Sequence, residues 1–154
     1  MSMYTDFNLR VRIKPDAPEL LIETLEVMVG DRDDTYVACL PRHELFAGDT
    51  RWSYMLRCSS HSSALPPRLV KGEDGSAHEL VVSSSFKHYN DEIRKLFDWL
   101  KPHLSTGWQP EFIGTSIYEG ATDPFVYWLM PDGSVVTTSA ERPRIPWKSS
   151  GRAR

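Results

Sequence analysis

The stretch 90–139 limits the fold more tightly than any other, because it writes a helix and then a run of strands in two different periods. Ile93, Leu96, Phe97 and Leu100 stand at i, i+3, i+4 and i+7, the spacing of one helical face, and are expected to be buried together. Asn90 is the expected N-cap. Asp91 and Glu92 fall in the first turn, where the helix dipole favours acids, and Lys95, Lys101 and His103 lie toward the other end. Pro102 disfavours helical geometry at Lys101, so the helix should stop near there. Beyond Gly107 the period drops to two. Residues 111–119 read as a strand with Ile113, Thr115 and Ile117 on one side and Phe112, Gly114, Ser116 and Tyr118 on the other. Residues 125–130 and 135–138 follow as a hairpin, joined by the strong turn chemistry of Pro131-Asp132-Gly133.

The first half is read in the same way. Residues 5–14 alternate without a break, Phe7, Leu9, Val11 and Ile13 against Asn8, Arg10, Arg12 and Lys14, which predicts a half-buried strand. Asp16 should cap a helix over 18–29, with Leu21, Leu25, Met28 and Val29 as its stripe and Gly30 as its left-handed terminator. Residues 31–48 read as a polar turn with a short strand over 36–40. In 52–58, Trp52, Tyr54, Leu56 and Cys58 alternate with Ser53, Met55 and Arg57, which suggests a second strand, a helical turn being the alternative. Residues 59–77 are a loop containing an extended piece at 68–70, and 79–86 are a third strand. Setting 36–40 aside, the order is strand, helix, strand, strand, helix, strand, then an antiparallel pair. That order predicts an α+β fold, a ferredoxin-like sandwich with both helices on one face of an antiparallel sheet and an added C-terminal hairpin.

At 154 residues the chain should form one domain, here 1–140, with 141–154 as a separate tail. No apolar run is long enough to span a membrane and the first residues lack the pattern of a signal peptide, so a cytoplasmic protein without membrane contact is expected. Cys39 and Cys58 have neither a disulfide framework nor zinc spacing and read as small core hydrophobes. Five basic residues against one acid give the tail a charge of +4, and since the whole chain is −3 the remainder carries −7. Such a tail suits contact with a polyanion or an acidic partner, or simple solvation.

Asp49-Thr50-Arg51-Trp52, the segment Tyr89-Asn90-Asp91-Glu92-Ile93 running to Trp99, and Phe112-Ile113-Gly114 with Tyr118-Glu119 and Pro124-Phe125 together resemble an uncharacterised family of small bacterial and phage proteins. The resemblance covers about half of the chain. That family has no known activity, so the resemblance implies no catalytic residue.

No motif in the chain dictates a chemistry. His43, His61, His78, His88 and His103 contain no i, i+4 metal pair and read as solvated or locally hydrogen-bonded side chains, so no metal is expected. Cys58 with His61 is the nearest approach to a nucleophile and base, but it lacks an orienting group. Glu111 and Glu119 fall at opposite ends of one strand, and the glycines match no nucleotide fingerprint, so no cofactor is expected and the question of catalysis stays open. The binding candidates are Arg10 and Arg12 on the sheet face away from the helices, Arg57 and Lys87 as their neighbours, and Trp99, which falls off the helical stripe. These favour a binding or interaction module for an unidentified macromolecular partner, a protein or, through the tail, a polyanion. The alternative is a small enzyme or ligand-binding protein with a pocket between the 59–77 loop and the sheet. The oligomeric state is left open.

Overall fold

The computed structural model describes residues 3–33, 39–57 and 65–140. Strand β1 (Thr5–Ile13) keeps its alternation in full, with Thr5, Phe7, Leu9, Val11 and Ile13 buried and Asn8, Arg10 and Arg12 facing solvent. A strand buried on one face and polar on the other tolerates only one register. It therefore becomes a central strand, paired antiparallel with β3 (His78–Phe86) on one side and β4 (Glu111–Tyr118) on the other. With β2 (Arg68–Val70), β5 (Phe125–Leu129) and β6 (Val135–Ser139), the sheet runs β2-β3-β1-β4-β5-β6, every neighbouring pair antiparallel. Two helices, α1 (Glu19–Val29) and α2 (Glu92–Leu100), complete an α+β fold. Among the described residues no helix is long and apolar enough to cross a membrane.

Phe7 is the hub of the core. Its ring meets Phe86, Phe97 and Tyr127 edge-on at centroid distances of 6.4, 6.2 and 6.4 Å, joining β1 to β3, α2 and β5. Leu21, Leu25 and Met28 of α1 and Ile93, Leu96, Phe97 and Leu100 of α2 belong to the same cluster. Full burial of each such side chain is worth about 1.5–3 kcal/mol.

Several local expectations are corrected. Neither helix uses the cap its sequence suggests: Pro18 rather than Asp16 precedes α1, and Asp91 rather than Asn90 precedes α2, in both cases without a side-chain cap bond. Gly30 does close α1 in the left-handed conformation, at φ 89. α2 ends at Leu100, as Pro102 predicts, and Pro102 enters a single 3-10 turn, Lys101–His103, near its start, where a missing N–H costs little. The strand expected over 52–58 is a turn through its described residues 52–57, and β2 takes its place. Met55 and Leu56 are both fully buried while Tyr54 is 54% exposed, which alternation forbids, and the Met55 N–H donates to the Arg51 carbonyl at 2.9 Å. Cys39 is exposed rather than in the core, and neither it nor Leu40 lies in a strand. Residues 36–38, Cys58, His61 and the tail 141–154 lie outside the described residues.

The most consequential difference is in β4. Its register slips between Phe112 and Gly114, a β-bulge, so the two sides exchange beyond Ile113. Ile113 is buried, but Ser116 then takes the inward place opposite Phe7, and Thr115 and Ile117 stand opposite Asn8 and Asp6 on the other face. Gly114 allows this close approach, since a Cβ there would run into the Asn8 carbonyl and the Leu9 Cα.

Candidate functional site

The bulge opens a groove. Because it turns Ser116 and Tyr118 toward the helix side, β4 continues a floor that begins at Thr5 and runs on through Phe125 and Tyr127 of β5 to Val135 and Thr137 of β6. The α2 flank forms the opposite wall with Asp91, Arg94, Phe97, Asp98 and Lys101. Between them lies a space of about 480 Å³, within the range of small-molecule sites. Tyr118 is 46% and Phe125 54% exposed. Two neighbouring aromatic rings left open on a concave floor offer stacking surface.

The groove is rimmed by charges that neutralise one another. Arg94 donates to Asp91 at 2.5 Å, to Asp98 at 2.7 Å and to Glu44 at 3.1 Å, and the bonds to Asp91 and Glu44 hold its guanidinium still more firmly protonated than usual. Lys101 reaches Asp98 at 3.3 Å. Asp91 has a left-handed backbone (φ 57), a strained conformation for a residue with a Cβ.

On the floor, the Ser116 and Tyr127 hydroxyls are 2.6 Å apart and buried. Burial pushes the Tyr127 phenol above its ordinary pKa, and the bond to Ser116 offsets this only in part. His88 borders the groove, but its Nε2 accepts the Ile93 N–H at 3.2 Å and burial pushes the imidazole below its usual pKa. That nitrogen is therefore engaged as an acceptor. Among the described residues no hydrogen bond joins the Ser116–Tyr127 pair to an imidazole or a carboxylate, so the arrangement has a polar anchor without an activated nucleophile.

The residues singled out from the sequence are not brought together. Arg10 and Arg12 do emerge on the face away from the core, but each meets an acid, Glu79 at 3.3 Å and Glu111 at 3.5 Å, so their charge is locally balanced. Arg57 does not join them, because its segment is a turn; its Nε donates to the Ser53 carbonyl and its side chain lies against Gly30 at the end of α1. Lys87 sits over the Tyr4 ring at 5.9 Å. Trp99 is 8% exposed, covered by Phe46 at 4.8 Å, since the segment around Glu44–Phe46 packs on the second flank of α2. His43, His78 and His88 each accept a backbone N–H, from Leu45, Gly72 and Ile93, as locally hydrogen-bonded histidines do. The groove lies on the α2 and β6 side, and no residue of 65–77 lines it. Tyr118, Phe125 and Tyr127 had a signal in the clustering of aromatics, but the bulge hid which of them share a face.

The segments 49–52 and 90–99 meet at the start of α2. The Asn90 side chain donates to the Asp49 carbonyl at 2.9 Å, Glu92 accepts the Arg51 N–H at 2.8 Å, and Phe46 stacks edge-on between Trp52 and Trp99. They form a staple that holds a loop to a helix. Among the described residues, fold and groove thus combine an antiparallel six-stranded sheet, two helices and an aromatic-floored groove. Comparisons of the chain with protein-family models, with curated proteins and with solved structures return no match.

Proposed function

We propose that the chain is a cytoplasmic binding module built on a ferredoxin-like sandwich, and that its groove takes a small, flat, uncharged ligand. The strand order β2-β3-β1-β4, with both helices contributing to the cluster around Phe7 and β5-β6 as an added hairpin, supports the fold. One observation carries the ligand class: two exposed rings, Tyr118 and Phe125, lie on a floor whose rim cations are already paired with carboxylates. An anionic ligand would have to displace those partners, whereas an aromatic one stacks without disturbing them. Thr137 and the Ser116–Tyr127 pair can orient its polar edge.

The test is titration of the full chain with 2-naphthol, followed by amide chemical shifts. Shifts should concentrate at 116–118, 125–127 and 135–137, and Phe125→Asp should weaken binding at least about tenfold. Shifts centred elsewhere, or equal affinity in the variant, would overturn the reading.

A second reading, a macromolecular partner on the opposite face, is favoured by Phe112. It is 55% exposed and meets Trp128 edge-on at 5.9 Å.

A further inference from the structure

The two edges of the sheet are built differently. At one end, β2 is only three residues long, follows Pro66 and Pro67, contains Arg68 and is succeeded by Lys71, the usual means by which a chain keeps other strands away. At the other end, β6 reads Val-Val-Thr-Thr-Ser, with no charge, proline or glycine, and four of its five residues are exposed. Among the described residues no strand pairs with its outer side.

The direction of its amides follows from the hairpin. The Met130 N–H donates to the Ser134 carbonyl and the Ala140 N–H to the Pro124 carbonyl, so residues 134 and 140 form the hydrogen-bonded pairs of the ladder with β5. In an antiparallel ladder such pairs recur at every second residue. Val136 and Thr138 therefore turn their peptide groups toward β5, and Val135, Thr137 and Ser139 turn theirs outward.

We infer that β6 is the dimer interface of this protein, pairing antiparallel with β6 of a second copy about a two-fold axis at Thr137. That register sets Thr137 opposite Thr137 and Val135 opposite Ser139, so the outward residues meet one another and about six backbone hydrogen bonds form. Several observations favour a second copy over other occupants. The strand is uncharged, so two bodies of net charge −7 meet along a line without like-charge contacts. On the face away from the groove, the partner's Val136 lands opposite Thr138, whose hydroxyl accepts the Trp128 indole N–H at 3.2 Å. The half-exposed apolar stripe Phe112, Trp128, Val136 is thereby extended across the axis. On the groove face, the partner's Thr137 and Ser139 lengthen the floor past Val135 and Thr137. The inference rests on the edge, whether or not the groove binds a ligand.

The experiment is sedimentation equilibrium of the full chain from about 1 to 300 µM, with amide hydrogen exchange at both ends of the range. The wild type should be dimeric at the upper end, with concentration-dependent protection at Val135, Thr137 and Ser139. Thr137→Lys sets two cations face to face, and Thr137→Pro removes an outward N–H that β5 does not use. Each should raise the dimer dissociation constant at least tenfold with an unchanged circular dichroism spectrum. A wild type that stays monomeric, or a dimer that protects other amides and survives the lysine, would overturn the inference. Should the proline variant misfold, the lysine variant and the exchange pattern still decide.

Discussion

Replacing Glu92 tests the staple at the start of α2. Its side chain is fully buried, and its two carboxylate oxygens accept the Arg51 N–H at 2.8 Å and the Asn90 N–H at 2.9 Å. Among the described residues no other acceptor meets these two N–H groups, so Glu92→Ala leaves both without their acceptor. Hydrogen bonds to a charged group are worth about 1.5–3 kcal/mol each, which makes the expected loss about 3–6 kcal/mol. A domain has only about 5–15 kcal/mol in all, so the alanine variant should be close to unfolding. Glu92→Gln keeps one acceptor oxygen and should lose about half as much. Urea denaturation followed by tryptophan fluorescence is well placed to read this, because Trp52 and Trp99 both pack on Phe46 in the stapled segment. An alanine variant within about 0.5 kcal/mol of the wild type would refute the reasoning, since it would mean that water satisfies both donors at no cost.

Gly114→Ala should destabilise the chain by about 1–3 kcal/mol, because the added methyl meets the Asn8 backbone, which cannot swing away as a side chain can; denaturant midpoints of the two proteins check this. For His88 the sign follows from its lowered pKa: burial depresses it, the nearby Glu92 and Asp91 oppose this only in part, and the unfolded chain takes up the proton first as the pH drops below about 6.5. Stability should therefore fall from about pH 6.5 down through the folded-state pKa, by at most about 1.4 kcal/mol per pH unit, and His88→Gln should remove that part of the profile in unfolding measurements across pH 5–8. An identical profile in the glutamine variant would contradict the assignment.

How far the sequence foretells this molecule varies with what each segment must bury. β1 and α2 are legible because their apolar residues recur at a single period and meet a single core, from Phe7 to Ile13 and from Ile93 to Leu100. The turn at 52–57 misleads because two adjacent apolar residues, Met55 and Leu56, are both buried against the core while an alternating pattern runs through them by coincidence. The groove is harder still. It depends on one extra residue in β4, and Gly114, the only hint, is needed for a contact with Asn8, which is more than a hundred positions away in the chain. Trp99 is ambiguous for a similar reason, since periodicity shows which face of α2 meets the sheet but not that Phe46 covers the other.

The central position of β1 also governs the order in which the molecule can be assembled. It leaves a ribosome before the other described strands, yet its two flanks are closed by β3 and β4, the second ending at Tyr118. At ordinary rates of synthesis, about 5–20 residues per second, β1 therefore waits roughly 5–20 s for its second flank. Throughout that interval Phe7, Leu9, Val11 and Ile13 have α1, then β3 and α2, to shelter them, but not the strand that closes their second flank. The intervening Arg10, Arg12 and Lys14 keep a cation at every second place on the nascent strand, and like charges discourage two such strands from pairing in register. The same arginines that form solvent-exposed ion pairs with Glu79 and Glu111 in the finished protein would thus oppose such pairing by charge repulsion until those partners are made.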